Sequence, residues 1–484
     1  MSRDITELTL CELSAAISRR EISSLEATEA SLAAIENAQP RLNCFISIEP
    51  QDALAAATRA DSEMAAGRRR GPLHGVPMAH KDMFYRSGKV VTCGAKIRRD
   101  FVADTTATVH ERLDAAGAVC LGGLNMSEFA VGPTGHNDHF GHCRNPWNAE
   151  HITGGSSSGS GAAVAARLAY GSLGSDTGGS IRLPAAMCGV TGLKPTYGLI
   201  SRYGIMPRCW SLDVVGPLAR TARDCAVITA CVAGHDPRDS TSAVHAVPDY
   251  EAQLGGDLRG FRIGIPTNPI FAATDPEVQA ALTQAITVLA SLGAEVVEVD
   301  LPDPALIYTL TNVVNKSEAA TIHARWLRER PHDYSLSVRT RIEAGFHIPA
   351  TQYLDAIRTQ GRLLSDFVAK VFQQVDVVHM PVLGIPVPTI SETEVHDSAG
   401  VPELIERITR YTRWVSYLGL PALSVPGGFS SNGLPVGFQL LGRPFSEATL
   451  FRVAHAYQQE TGWHLRAPPA VHSQHLPSSS EAAS

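Results

Sequence analysis

The stretch running from 154 to 184, GGSSSGSGAAVAARLAYGSLGSDTGGSIRLP, limits what this chain can be more than any other. Two Gly/Ser clusters, at 154–161 and 176–180, flank an alanine-rich segment that reads as one helix over 162–170. Glycines beside serines let bare backbone N–H groups converge on a ligand with no Cβ atoms in the way. A flexible linker would share that composition but would lack the apolar helix and the basic Arg182 close behind. The stretch therefore reads as the scaffold of an active site.

Composition narrows the setting. A chain of 484 residues can bury a large core. Charged residues make up 18% and the net charge is −7, with no long basic run, so nucleic acid is not an expected partner. No run of 18 apolar residues occurs and the N-terminus MSRDITELTL lacks an apolar signal core, so the expectation is a cytoplasmic protein without a membrane segment. Nine cysteines without a C-x-x-C pair read as reduced thiols, most of them small core residues.

Taken in order, residues 6–37 carry helical spacing, and 43–48 (NCFISI) reads as a first strand. Next comes GPLHGVPMAHKDMF, which sets Lys81 and Asp82 among apolar residues and turn glycines. A lysine there either snorkels to the surface or is buried at a cost. A helix over 108–115 and a strand in AVCLGGLN follow. The loop 132–147 holds His136, Asp138, His139, His142 and Cys143. Their spacing matches no standard zinc pattern, so a wall of hydrogen-bonded histidines is expected and no metal. Strand 261–265, a helix capped by Asp275-Pro276 and strand 295–299 form a βαβ unit, which implies a sheet covered by helices. Residues 304–370 read as a helical elaboration, 376–380, 422–425 and 433–442 as further strands, and Ser446 as the cap of a last helix. The tail at 467–484 is Ser/Pro/Ala-rich and is expected to be disordered. One large domain over 1–466 is the reading, with a core at about 75–225.

Three motifs compete for the central stretch. GSSSG at 155–159 matches a nucleophile elbow centred on Ser157, but the preceding NPWNAEHIT looks like loop rather than strand. Asp176-Thr177-Gly178 matches the aspartic-protease triplet, whose chemistry needs a second carboxylate that no other D-[ST]-G supplies. A phosphate cradle would need GK[ST], which is absent.

The segments GVPMAHKD, GGSSSGSGAAVAA and GSDTGGSIRLPAAMCGVTGLKPTYG closely resemble the amidase signature family, as do GLPALSVPGGF and GLPVGFQLLGRPF further on. The resemblance runs to about residue 465. It implies an α/β/α sandwich around a mixed sheet and hydrolysis of a non-peptide C–N bond (amide, aryl amide, carbamate or ureide) through an acyl-enzyme, without a cofactor. Carried over by motif, the nucleophile is Ser180, the bridging serine in a cis peptide is Ser156, and the base is Lys81. Ser156 and Ser180 stand 24 positions apart, in keeping with the family pattern. The resemblance also assigns the oxyanion hole to the backbone N–H groups of Thr177, Gly178, Gly179 and Ser180. Asp176, Arg182 and Ser157 are expected to support the turn and the triad, with Ser158 as a further loop hydrogen-bonder. For Lys81 to act as a base it must be neutral, so Asp82 is expected to face away and pair elsewhere.

Two positions bear on the substrate. The A subunits of tRNA-dependent glutamine amidotransferases commonly follow GGSIR with glutamine, where this chain has Leu183. They also grip the amino group of glutamine with an acid at a position that aligns with Thr409. The expectation is accordingly a stand-alone amidohydrolase with a small-molecule substrate and no nucleic-acid partner. The alternatives are a catalytically idle structural relative and the glutamine-hydrolysing A subunit of a tRNA-dependent amidotransferase. Homodimers are frequent in the family, so the resemblance admits a homodimer.

Overall fold

The computed structural model describes residues 4–394 and 400–469; the tail expected to be disordered falls outside the described residues from 470 onward. Two sheets carry the strands. Three strands, β1 (Phe45–Ile48), β2 (Pro77–Lys81) and β3 (Val119–Leu124), lie in the order β1-β3-β2, with β2 parallel and β1 antiparallel to β3. Eight more form the main sheet: β4 (Gly171–Asp176), β5 (Thr191–Lys194), β6 (Val214–Ala219), β7 (Arg262–Pro266), β8 (Glu295–Val299), β9 (Val377–Pro381), β10 (Ala422–Phe429) and β11 (Pro435–Leu441). Their order is β4-β6-β5-β10-β11-β9-β7-β8. The β9-β7-β8 end is parallel and the rest antiparallel, so the fold is α/β with a mixed sheet.

The βαβ unit forms where expected. Strands β7 and β8 pair in register from Arg262 with Glu295 to Pro266 with Val299. The helix Pro276–Ser291 joins them, and the Asp275 carboxylate accepts from the Glu277 N–H at 2.9 Å. The elaboration at 304–370 consists of the helices Pro304–Glu329, Leu336–Glu343 and Ala350–Val371.

Local differences have physical reasons. Residues 6–37 form two main helices, Leu10–Ser18 and Ser24–Leu42, each opened by a capping box (Thr9 with Glu12, Ser23 with Glu26). Asn43, expected in the first strand, instead ends the second helix in the left-handed region at φ 48°. The helix expected at 162–170 is Ser158–Ala165 and starts inside the serine cluster. Every one of its residues is buried, so no apolar stripe marks its ends. Ser446 stands at the N-cap of Glu447–Glu460, but its hydroxyl donates to the Arg443 carbonyl at 2.8 Å and caps nothing.

The strand β4, GSLGSD, is buried along its whole length although its residues have little β preference. Small residues are needed because the serine loop lies directly on it. A Cβ on Gly174 would come within 2.8 Å of Ser157 Oγ and 2.9 Å of Leu218 Cδ1. Gly174→Val is therefore expected to destabilise the fold by about 1–3 kcal/mol through overpacking. An unchanged midpoint in urea denaturation would contradict this close approach.

Candidate active site

Two sheets supply the central groups. Strand β2 ends at Lys81, and β2 packs beside β4, which leads into the turn 176–180. Lys81 is 1% exposed, and its Nζ lies 2.7 Å from Ser156 Oγ and 2.8 Å from Ser175 Oγ. Burial lowers its pKa to about 7, while the negative charges of Asp213 and Asp176 pull it partly back up. Asp82 does not join this cluster. Its carboxylate accepts from the Thr92 N–H at 2.9 Å and from the Thr92 hydroxyl, and burial raises its pKa to about 7.

The Gly155–Ser156 peptide is cis. The Ser157 N–H donates to the Ser180 carbonyl at 3.3 Å, which ties the serine loop to the DTGGS turn. The Ser157 hydroxyl accepts from the Ser175 N–H at 3.3 Å and donates to the Ser175 carbonyl at 3.2 Å, holding the loop on β4. Ser158 donates to the Asn125 carbonyl at 3.2 Å. No strand leads into GSSSG, which instead opens the helix Ser158–Ala165, so the elbow geometry is absent there.

Asp176 and Arg182 hold the turn from below. Both side chains are 0% exposed and their charged groups approach to 3.0 Å. Burial alone would raise the Asp176 pKa, but the adjacent guanidinium holds it at about 2. The carboxylate also accepts from the N–H groups of Gly179 at 2.7 Å and Ile181 at 3.2 Å. Arg182 donates further to Gln439 Oε1, the Thr412 carbonyl and Ser416 Oγ at 2.9–3.0 Å. Gly179 sits at φ 132°, and a Cβ there would come within 2.5 Å of Thr412 Oγ1. Because the Gly179 N–H is committed to Asp176, the turn N–H groups not bound to that carboxylate are those of Thr177, Gly178 and Ser180. The Thr177 hydroxyl donates to Asp213 at 2.6 Å, and Asp213 accepts from the N–H groups of Arg208 and Cys209, each at 2.8 Å.

Above the turn opens a cavity of about 90 Å³, walled by Thr177, Gly178, Ser180, Leu183, Thr409 and residues of the helical elaboration. It adjoins a wider cleft reached by His136, Asp138 and His142. The loop histidines bond separately: His136 Nε2 lies 2.8 Å from Thr393 Oγ1, His139 Nε2 lies 3.1 Å from Glu128, and His142 Nε2 lies 3.4 Å from Glu394. Among the described residues no cluster of three metal-ligating side chains occurs, and no helix is long and apolar enough to cross a membrane.

The sequence did not single out Ser175, Asp213, Arg208, Arg341 or Arg413. Ser175 directly precedes the DTGGS motif, but its strand, GSLGSD, is buried throughout and shows no alternation that would have marked it. The others come from loops and helices brought in by tertiary contact.

The Amidase family profile matches residues 26–451. The A subunit of the glutamyl-tRNA(Gln) amidotransferase of Methylococcus capsulatus is 43% identical over 96% of this chain and 99% of its own length. A structure described as revealing the evolutionary origins of an s-triazine catabolic enzyme superposes with a TM-score of 0.87 at 35% identity, covering 94% of this chain and 98% of that one. The A subunit of the Thermotoga maritima glutamyl-tRNA(Gln) amidotransferase superposes with a TM-score of 0.79 at 31% identity, covering 95% and 96%. These relatives overturn the expectation of a lone enzyme with no nucleic-acid partner. The lone-enzyme part of that expectation rested on Leu183 and Thr409, and the part about nucleic acid on the low charge and the lack of a long basic run; both weigh little against similarity over the full length.

Removing one half of the buried ion pair tests the account of the turn. Asp176→Ala leaves a guanidinium uncompensated in the core and is expected to cost about 3–5 kcal/mol. A loss under about 1 kcal/mol in equilibrium unfolding would mean that the pair does not hold the turn.

Proposed function

The chain belongs to the amidase family, and we propose that it is the amide-hydrolysing subunit of an assembly of the amidotransferase kind, freeing ammonia from a small amide through Lys81, Ser156 and Ser180. One observation carries this reading: a dry lysine amine 2.7 Å from Ser156 Oγ, next to the loop that bonds the Ser180 backbone. The assembly is suggested by the amidotransferase relatives, which match along nearly their whole length.

The chemistry follows from the proton inventory. A serine hydroxyl is a weak nucleophile and needs a base. Neutral Lys81 accepts the Ser156 proton while Ser156 accepts that of Ser180, since one hydroxyl both donates and accepts. Ser180 Oγ then bonds to the carbonyl carbon, and the negative charge on the carbonyl oxygen is met by the N–H groups of Thr177, Gly178 and Ser180. Each such donor is worth about 10²–10³ in rate. The tetrahedral adduct collapses as the C–N bond breaks. The proton held on Lys81 returns through Ser156 to the leaving nitrogen, giving ammonia and an acyl-Ser180. Water, deprotonated along the same path, attacks the acyl carbon and frees the acid.

Because protonation of Lys81 blocks the relay, kcat/KM is expected to fall about tenfold per pH unit below a midpoint near 7 and to level off above it. Lys81→Met should lower kcat by about 10²–10⁴ and abolish that acid limb. A fluorophosphonate probe should label wild type at Ser180 and leave Ser180→Ala unlabelled. Hydrolysis surviving at full rate in Lys81→Met would refute the relay, and ammonia release independent of any added subunit would refute the assembly.

A further inference from the structure

The cavity against Ser180 gathers four cations, Arg208, Lys316, Arg341 and Arg413, and no carboxylate lines it. None of the four pairs with a carboxylate through its side chain among the described residues. Arg208 donates to the Asn315 carbonyl at 3.3 Å. Arg413 donates to Asn312 Oδ1 at 2.6 Å and to the Tyr308 hydroxyl at 3.2 Å. Arg341 forms no hydrogen bond or ion pair with another described residue. Burial lowers its pKa to about 10, and the charges of Arg413 and Arg208 add to the effect. The nearest acids face elsewhere. Asp213 lies behind the turn and takes three donors there, and Glu318 accepts from Cys209, Ser211 and Tyr353. Glu128 (which accepts from Ser335), Asp138, Glu394 and Glu406 line the outer cleft, which shares Lys316, Arg341 and Arg413 with the cavity.

Like charges held together in a partly desolvated space repel one another, and the repulsion is relieved only when an anion enters. An ammonium brought to the same place would meet four positive charges and no acceptor of opposite sign. We infer that the amide hydrolysed here carries a carboxylate and no ammonium group, with the carboxylate held by Arg341 and its cationic neighbours while the carbonyl faces Ser180. The inference rests on the hydrolytic reading above and narrows its substrate. A planar guanidinium matches a carboxylate through two parallel N–H donors, which suits Arg341 to the task. The small cavity favours a short acyl chain. Thr409, on the same wall, offers a neutral hydroxyl 3.0 Å from the Tyr308 hydroxyl and no charge to hold an amine.

Four amides of similar length separate the contributions: glutaramate has a carboxylate only, glutamine a carboxylate and an ammonium, 4-aminobutanamide an ammonium only, and butanamide neither. Binding to the Ser180→Ala chain is measured by calorimetry, and turnover is measured with wild type reconstituted with the remaining subunits of the proposed amidotransferase-like assembly. Glutaramate is expected to bind at least tenfold tighter than glutamine and at least a hundredfold tighter than 4-aminobutanamide, with kcat/KM in the same order. Arg341→Met should shrink the glutaramate-to-butanamide ratio at least tenfold, and Arg341→Lys, which keeps the charge but loses the two-donor fork, should restore only part of it. Glutamine binding as tightly as glutaramate, or butanamide matching both, would overturn the inference. Should anion-selective binding occur without turnover that depends on Ser180, the hydrolytic reading fails and the charge assignment stands. Turnover that depends on Ser180 but ignores charge does the reverse: hydrolysis stands and the charge assignment fails.

Discussion

The Asp176–Arg182 pair is the contact on which the site depends. One guanidinium, sealed from solvent, reaches the carboxylate at the end of β4, an amide on β11, and the N-cap carbonyl and a hydroxyl of the short helix Arg413–Tyr417. The carboxylate in turn fixes two N–H groups of the turn that presents Ser180. Buried charges contribute little net stability when compared with apolar packing, but they tolerate few alternative geometries. Here that intolerance sets where the turn can lie relative to the sheet.

Lys81 shows the opposite use of burial. Its amine is given two hydroxyls and no carboxylate, while Asp82 next to it is occupied by Thr92. Desolvation then works against the ammonium, leaving an amine able to take a proton near neutral pH. A second buried lysine, Lys194, is lowered to about 7 for the same first reason, burial, with Arg182 adding to it. Its Nζ donates to the Pro195 carbonyl at 2.9 Å and it does not line the cavity. A depressed pKa alone therefore does not tell the two lysines apart; the neighbouring serines do, and they are what supports Lys81 as the proposed base.

Sequence reasoning reached the motif-borne parts of this architecture and missed those made by tertiary contact. The β7–helix–β8 unit was legible because Val278, Leu282 and Leu289 repeat on one helical face and Asp275-Pro276 marks the start. Strand β4 was not, since Gly171, Ser172 and Gly174 carry no β signal, and at Gly174 the missing side chain is what lets Ser157 approach. The segment holding Lys81 was noticed as chemistry but not as a strand; PMAHK is buried throughout and shows no alternation. Arg208, Arg341 and Arg413 sit at unremarkable places in the chain, and only folding makes them neighbours.

The separation of β2 from β4 into different sheets has a consequence for how the protein matures. Neither sheet alone holds both the amine and the turn of the proposed relay. With the two sheets apart, Ser180 would carry an inert hydroxyl, because its proposed base lies at the end of a strand of the smaller sheet. Under that proposal the nucleophile is armed only by the docking of the two sheets, and molecules in which they lie apart are harmless to the amides around them.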